Sequence, residues 1–196
     1  MMTIIARWEW RTFGQAFGEA EDRIKSFPEE KARKSSEVYI LSRNSLDNTK
    51  IRDMLMDIKT LQQVNADKLE QWYPVMKAGF PLTRDVLDKV FRAWKVSPPV
   101  WRRDAYACDQ FLDELVKPHP DLRAVAVEKE RHGFTVNGCI VELADLKFDG
   151  SPVRTVAVET EDPARLMATV RELCLEGFEN VNYLKALKRF TGMDII

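Results

Sequence analysis

The sequence predicts an α+β fold in which antiparallel strands close into a β-barrel and helices pack on its outer face. Three observations carry this. Several segments alternate charged and apolar residues with the period of two that sends successive side chains to opposite faces of a strand. Asn137-Gly138 joins two such runs through the dipeptide best suited to a two-residue type I′ hairpin turn. Between and after these runs lie segments whose apolar residues recur at helical spacing.

The elements follow in chain order. TIIARWEWRTF is rich in β-branched and aromatic residues and alternates, which predicts a strand from Ile4 to about Phe13, with Arg7, Glu9 and Arg11 on one face and Trp8 and Trp10 on the other. Phe17, Ala20, Ile24 and Phe27 then recur at helical spacing, and Pro28 closes that helix. EEKARKSS reads as a solvated basic linker to a strand at SEVYILSR.

TKIRDMLMDIKT mixes charge with apolar residues in a way that fails as one straight strand. With Asp53-Met54 as a two-residue turn, residues whose numbers sum to 107 face each other. Lys50, Arg52, Asp57 and Lys59 then share one face, and Ile51, Met56 and Ile58 the other. From Ala66 to Trp94 the pattern reads as helical, with Val86, Leu87, Val90, Phe91 and Trp94 on one side, and RRDAYACDQFLDELVKP reads as a further helix ended by Pro118 and Pro120.

The Asn137-Gly138 hairpin pairs residues whose numbers sum to 275. Lys129, Arg131 and Thr135 therefore share a face with Ile140, Glu142 and Ala144, while Glu128, Glu130, His132, Phe134, Leu143 and Asp145 take the other. SPVRTVAVET is the next strand, with Thr155, Ala157 and Glu159 on one side. Asp162 and Pro163 read as the N-cap and first residue of a helix with Leu166, Met167, Val170, Leu173 and Cys174 inward and Gly177 as its C-cap. VNYLKALKRF closes the chain.

Composition narrows the function classes. The 196 residues suit one domain, here residues 1–196. Thirty basic and 31 acidic residues nearly cancel, so no surface built to coat a nucleic-acid duplex is expected, and local charge arrangement must carry function. Cys108, Cys139 and Cys174 are widely spaced without a CxxC pair, which disfavours a disulfide framework or zinc site and points to a reducing cytoplasm. No apolar run has the length of a membrane span or signal peptide. His119, between prolines, and His132, on the outward face, read as structural or solvated. No Gly-rich phosphate loop or dinucleotide fingerprint is present.

For any single strand, an open sheet wetted on one side explains the alternation. A charged face shared by most strands reads instead as the lumen of a barrel, able to hold a multiply charged ligand. In this the chain resembles the CYTH, or triphosphate tunnel metalloenzyme, superfamily. Arg7-Trp8-Glu9-Trp10-Arg11 stands where that family has Glu-x-Glu-x-Lys, Lys50-Ile51-Arg52 resembles its paired basic strand, Asp57-Ile58-Lys59 its following Thr-x-Lys strand, and Lys129-Glu130-Arg131 its Lys-x-Arg strand. Ala157-Val158-Glu159 lies where the family has Glu-x-Glu, and Tyr183 in NYLKAL matches its late Tyr motif. Three family carboxylate positions are non-acidic here, at Arg7, Ala144 and Ala157.

The resemblance implies an eight-stranded antiparallel barrel and a metal-dependent phosphohydrolase acting on inorganic tripolyphosphate or an organic triphosphate. It implies phosphate contacts from Arg7, Arg11, Lys50, Arg52, Lys59, Lys129 and Arg131, with Mg²⁺ or Mn²⁺ on Glu9, Glu142 and Glu159, and Asp57 as a further candidate. Glu9, Glu159 and Lys59 are the catalytic candidates. A catalytically degenerate polyphosphate- or nucleotide-binding module and a nucleotide cyclase are the alternatives, and a homodimer is left open.

Overall fold

The computed structural model describes residues 6–193. Eight antiparallel strands form a closed ring in the order β1, β10, β9, β8, β2, β3, β4, β5. They are β1 (Trp8–Gly14), β2 (Lys31–Ser42), β3 (Asn48–Arg52), β4 (Leu55–Val64), β5 (Glu70–Gly79), β8 (Leu122–Val136), β9 (Cys139–Phe148) and β10 (Ser151–Thr160). β5 rejoins β1 through just two residue pairs, Trp8 with Gln71 and Glu9 with Glu70. A small ribbon of β6 (Leu82–Thr83) and β7 (Ala105–Tyr106) stands apart.

Both hairpin registers follow the arithmetic of the sequence. Asn48 faces Lys59 and Lys50 faces Asp57 across β3 and β4, and Lys129 faces Leu146 across β8 and β9. Asp53 and Met54 both have positive φ, 51° and 57°, as do Asn137 and Gly138, at 52° and 72°. These are type I′ turns, whose twist matches that of the flanking strands.

Helices cover the apolar outer face on two sides. α1 (Glu19–Lys25) and α4 (Pro163–Glu172) bury Ile24, Leu166 and Val170 against Trp10, Phe134, Val141, Val156 and Val158. α2 (Arg84–Trp94) and α3 (Cys108–Gln110, continued by a π-helical stretch Phe111–Val116) bury Leu87, Phe91, Trp94 and Phe111 against Ile40, Ile51, Met56 and Ile58. The third apolar cluster lies inside the ring. There α5 (Tyr183–Thr191) inserts Tyr183, Leu184 and Leu187 against the inward residues Tyr39, Leu41, Val125, Val127, Leu146 and Phe148, filling one end of the lumen.

Several expectations are corrected. EEKARKSS is no linker: from Lys31 on it is the exposed half of β2, paired from Lys31 to Ser42 along β8. The segment expected to be helical from Ala66 is the strand β5, and only residues 84–94 form a helix. Pro74 and the β-favouring Trp72, Tyr73 and Val75 decide this locally, because proline lacks the N–H a helix interior needs. In the segment beginning at Arg102, helix starts only at Cys108. α4 stops at Glu172, and Cys174, at φ 55°, takes the left-handed position expected of Gly177. The capping of α4 by Asp162, whose carboxylate accepts from Ala164 and Arg165 N–H, agrees with the sequence. β1 begins at Trp8; Ile4 and Ile5, included in the expected strand, lie outside the described residues. Among the described residues no helix is long and apolar enough to cross a membrane.

Candidate functional site

Above the apolar plug, the inward residues of the ring enclose a cavity of about 170 Å³ lined by Glu9, Arg11, Lys50, Arg52, Lys59, Lys129, Arg131, Glu142 and Glu159, together with Tyr39, Asn48, Trp72, Asn182, Tyr183 and Leu184. The period-two alternation puts these side chains here, since each strand turns its aliphatic partners outward beneath the helices. Six of the seven expected phosphate-binding residues and all three expected metal-binding carboxylates therefore come together. Arg7 does not: it is exposed, precedes β1 and lies outside the lining. Asp57 is buried opposite Lys50 but does not reach the lining either.

The lining divides into two charge clusters. In the first, Arg11 is the hub. Its Nε donates to Glu9 Oε1 at 2.8 Å, its Nη1 to Glu142 Oε1 at 3.4 Å, and its Nη2 lies 4.0 Å from Glu159 Oε1. The guanidinium carbon sits 4.7 Å from the centroid of the Tyr183 ring. Glu9 faces Glu159 directly across β1 and β10. Burial, and then the charge of Glu9, push the Glu159 carboxyl up to about 7. Burial acts to raise Glu9 as well, but the charge and hydrogen bond of Arg11 and the charge of Lys59 outweigh it and hold Glu9 below the ordinary carboxylate range.

The second cluster centres on Glu37, which sequence reasoning missed. Its side chain is fully buried and accepts from Lys129 Nζ at 2.9 Å and Lys50 Nζ at 3.1 Å, with Arg52 Nη1 at 3.6 Å. Burial would raise this carboxyl, but Lys129 and Lys50 hold it at about 2. Burial, and then the charge of Lys50, lower the Lys129 ammonium to about 7. Lys129 also donates to Tyr39 Oη at 3.0 Å and lies 4.1 Å from the centroid of Tyr183. Among the described residues, Lys59 is the one cation of the lining without a carboxylate within 4.0 Å.

The floor is built by the start of α5. Asn182 caps the helix by accepting from Lys185 N–H at 2.9 Å, and its own amide donates to both carboxylate oxygens of Glu70 on β5. Tyr183 stacks on Tyr39 with ring centroids 5.4 Å apart. The start of α5, the positive end of its dipole, thus faces the cavity. Signals for Glu37 and Tyr39 existed in SEVYILSR, whose alternation places them on one face, but a five-residue connection, 43–47, left the register to β3 unfixed. Outside the lumen, His119 Nδ1 accepts from Asp121 N–H and His132 pairs with Glu29, both structural roles.

No protein-family model matches the sequence, and comparison with curated proteins gives no significant match. Solved structures do match along nearly the whole chain. A Hippeastrum protein described as an adenylyl cyclase candidate with dominant triphosphatase activity has a TM-score of 0.53 and 14% identity, over 96% of this chain and 97% of that one. An adenylate cyclase candidate from Bacillus halodurans gives 0.50 and 11%, over 95% and 99%, and a conserved hypothetical protein from Pyrococcus furiosus gives 0.50 and 15%, over 90% and 98%. With its eight-stranded ring, its charged lumen and these neighbours, the chain has the fold of the CYTH, or triphosphate tunnel, superfamily.

Proposed function

We propose that the chain, acting as one domain, binds a linear triphosphate in its lumen, either inorganic tripolyphosphate or the triphosphate end of an organic molecule. The observation that carries this reading is the enclosed cavity with Arg11, Lys50, Arg52, Lys59, Lys129 and Arg131 on its walls. Cations confined between low-dielectric walls attract a polyanion far more strongly than the same charges spread over a surface. The arginines supply forked donors for phosphate oxygens, and the lysines supply compact charge. A cavity of about 170 Å³ suits a small anion and excludes a nucleic-acid duplex. Three free thiols suit a reducing compartment such as the cytoplasm.

Hydrolysis of the bound triphosphate is the second reading, and Glu159 favours it. A carboxyl held at about 7 is matched to a general base working near neutrality. Glu159 would take a proton from a water whose oxygen bonds to the terminal phosphorus as the phosphoanhydride P–O bond breaks and the diphosphate leaves. The basic residues would neutralise charge on the transferred group, which is most of what phosphoryl transfer asks of a protein.

The superfamily resemblance adds Mg²⁺ or Mn²⁺ on Glu9, Glu142 and Glu159. Their oxygens suit a hard cation in type, but not in arrangement, because they surround the Arg11 guanidinium. Among the described residues no group of three or more His, Cys, Asp or Glu side chains is placed to hold an ion. No catalytic step is therefore routed through a metal.

The test is calorimetric titration with tripolyphosphate and orthophosphate, alongside phosphate release from a panel of triphosphates with and without Mn²⁺. Tripolyphosphate should bind well and orthophosphate weakly. Lys59→Ala should weaken tripolyphosphate binding about tenfold, the worth of one charge-assisted contact. Equal affinities for the two anions would reject the lumen as a triphosphate site.

A further inference from the structure

Arg11 is, with Lys129, one of the two most enclosed cations of the lumen, with only 6% of its side chain exposed. Glu9, Glu142 and Glu159 converge on it from β1, β9 and β10, Thr155 Oγ1 accepts from Nη1 at 3.4 Å, and Tyr183 underlies its plane. Three acidic side chains around one positive centre form the charge pattern of a divalent-cation site, but here the centre is a guanidinium. Arginine stays protonated at any accessible pH, so titration cannot free its partners. Swinging it away would bring it towards Lys129, Lys50 and Arg131, which line the same cavity. The neighbouring positions add no further carboxylate, since Ala157 faces Arg11 across β1 and β10, and Ala144 faces Arg131 across β8 and β9. A hard cation fills part of its shell with water but needs the carboxylates to hold it, and here it finds their centre already occupied.

We propose that Arg11 is the resident cation of this carboxylate cluster, so that the lumen takes its polyphosphate as the metal-free polyanion. This rests on the triphosphate-binding reading above. The ligand class is then an uncomplexed linear polyphosphate. Complexation by Mg²⁺ would remove two negative charges from the ligand and weaken, rather than create, its fit to the basic wall.

The experiment uses the wild-type chain and Arg11→Met. Tripolyphosphate is titrated calorimetrically in EDTA and again with excess Mg²⁺, and protein-bound Mn²⁺ is measured by electron paramagnetic resonance without tripolyphosphate. Wild type should bind tripolyphosphate in EDTA at least as tightly as with Mg²⁺, and should bind no Mn²⁺ at micromolar concentrations. Arg11→Met, if its circular dichroism is native, should bind Mn²⁺ at least tenfold more tightly than wild type. Tripolyphosphate binding that tightens tenfold or more with Mg²⁺ would overturn the inference. Micromolar Mn²⁺ binding by wild type would do so too, as would a folded Arg11→Met that gains none. Failure of tripolyphosphate to bind under either condition would instead sink the triphosphate reading. The Mn²⁺ measurement on wild type still judges Arg11 in that case, and also if the variant does not fold.

Discussion

Replacing Glu37 by Gln removes the one negative charge that, among the described residues, touches Lys50, Arg52 and Lys129 together, with almost no change in side-chain size. A carboxyl held at about 2 instead of 4.5 is stabilised in its ionised form by roughly 3.4 kcal/mol, at about 1.36 kcal/mol per pH unit. Removing one partner of a buried ion pair costs about 3–5 kcal/mol in general, which agrees. For a domain of this length, about 3.4 kcal/mol corresponds to a fall in Tm of roughly 7–14 °C. The pH dependence has a definite sign. Because the folded state depresses this carboxyl, its stabilisation is fully present above about pH 4.5 and disappears as pH falls through about 2. Thermal melts followed by circular dichroism should therefore show a large gap between wild type and Glu37→Gln at pH 7 that narrows in acid. Tripolyphosphate should raise the Tm of the variant more than that of wild type, because a bound polyanion supplies the charge the variant lacks. A gap below about 2 °C at pH 7, or one that persists unchanged in acid, would refute the assignment of Glu37 as the neutraliser of this cluster.

Two further outcomes follow from other features. Glu159 sits at about 7 in the fold against an ordinary 4.5, so between those values the native chain keeps a proton the unfolded chain has lost, and stability falls as pH rises. The full difference is worth roughly 3.4 kcal/mol, reduced to about 2 because 31% of the side chain is exposed; Glu159→Gln should recover that amount at pH 8 and little at pH 5 in urea melts, and equal gains at both would argue against a raised carboxyl. Met54, more than half exposed at φ 57° in its hairpin turn, carries a left-handed strain of about 1 kcal/mol that Gly does not, so Met54→Gly should raise Tm by roughly 2–4 °C, and a fall would mean that its side chain contributes more than the strain costs.

Most of the ring was legible where chemistry fixes register over short distances. Asn137-Gly138 and Asp53-Met54 tie adjacent strands through two-residue turns, so counting outward from each turn puts Lys129, Arg131, Glu142, Lys50, Arg52 and Lys59 on the lumen side, where they are found. What stayed illegible depends on pairings between residues far apart in the chain. β2 lies against β8, nearly a hundred residues away, and nothing local announces that Lys31 to Ser36 continue a strand. β5 was hidden because Leu69, Trp72 and Met76 also fit a helical spacing, which masks the local signal of Pro74 and its β-favouring neighbours; the ladder with β4 completes the strand. The convergence of Glu9, Glu142 and Glu159 on Arg11 could not be read either. Strand parity shows that charges share a face, but which of them touch depends on shear between β1, β9 and β10.

The plug that α5 drives into the ring has a consequence for traffic. With Tyr183, Leu184 and Leu187 packed among Leu41, Val125 and Phe148, the described barrel is a blind well rather than a conduit. On the triphosphate reading, a phosphate chain would go in end first and come out by the same opening, so a long polymer would be gripped at its terminus and not threaded through. Its inner end would lie against Tyr39 and Tyr183, which belong to the plug, and the units beyond the cavity would stay outside the mouth, where length no longer counts.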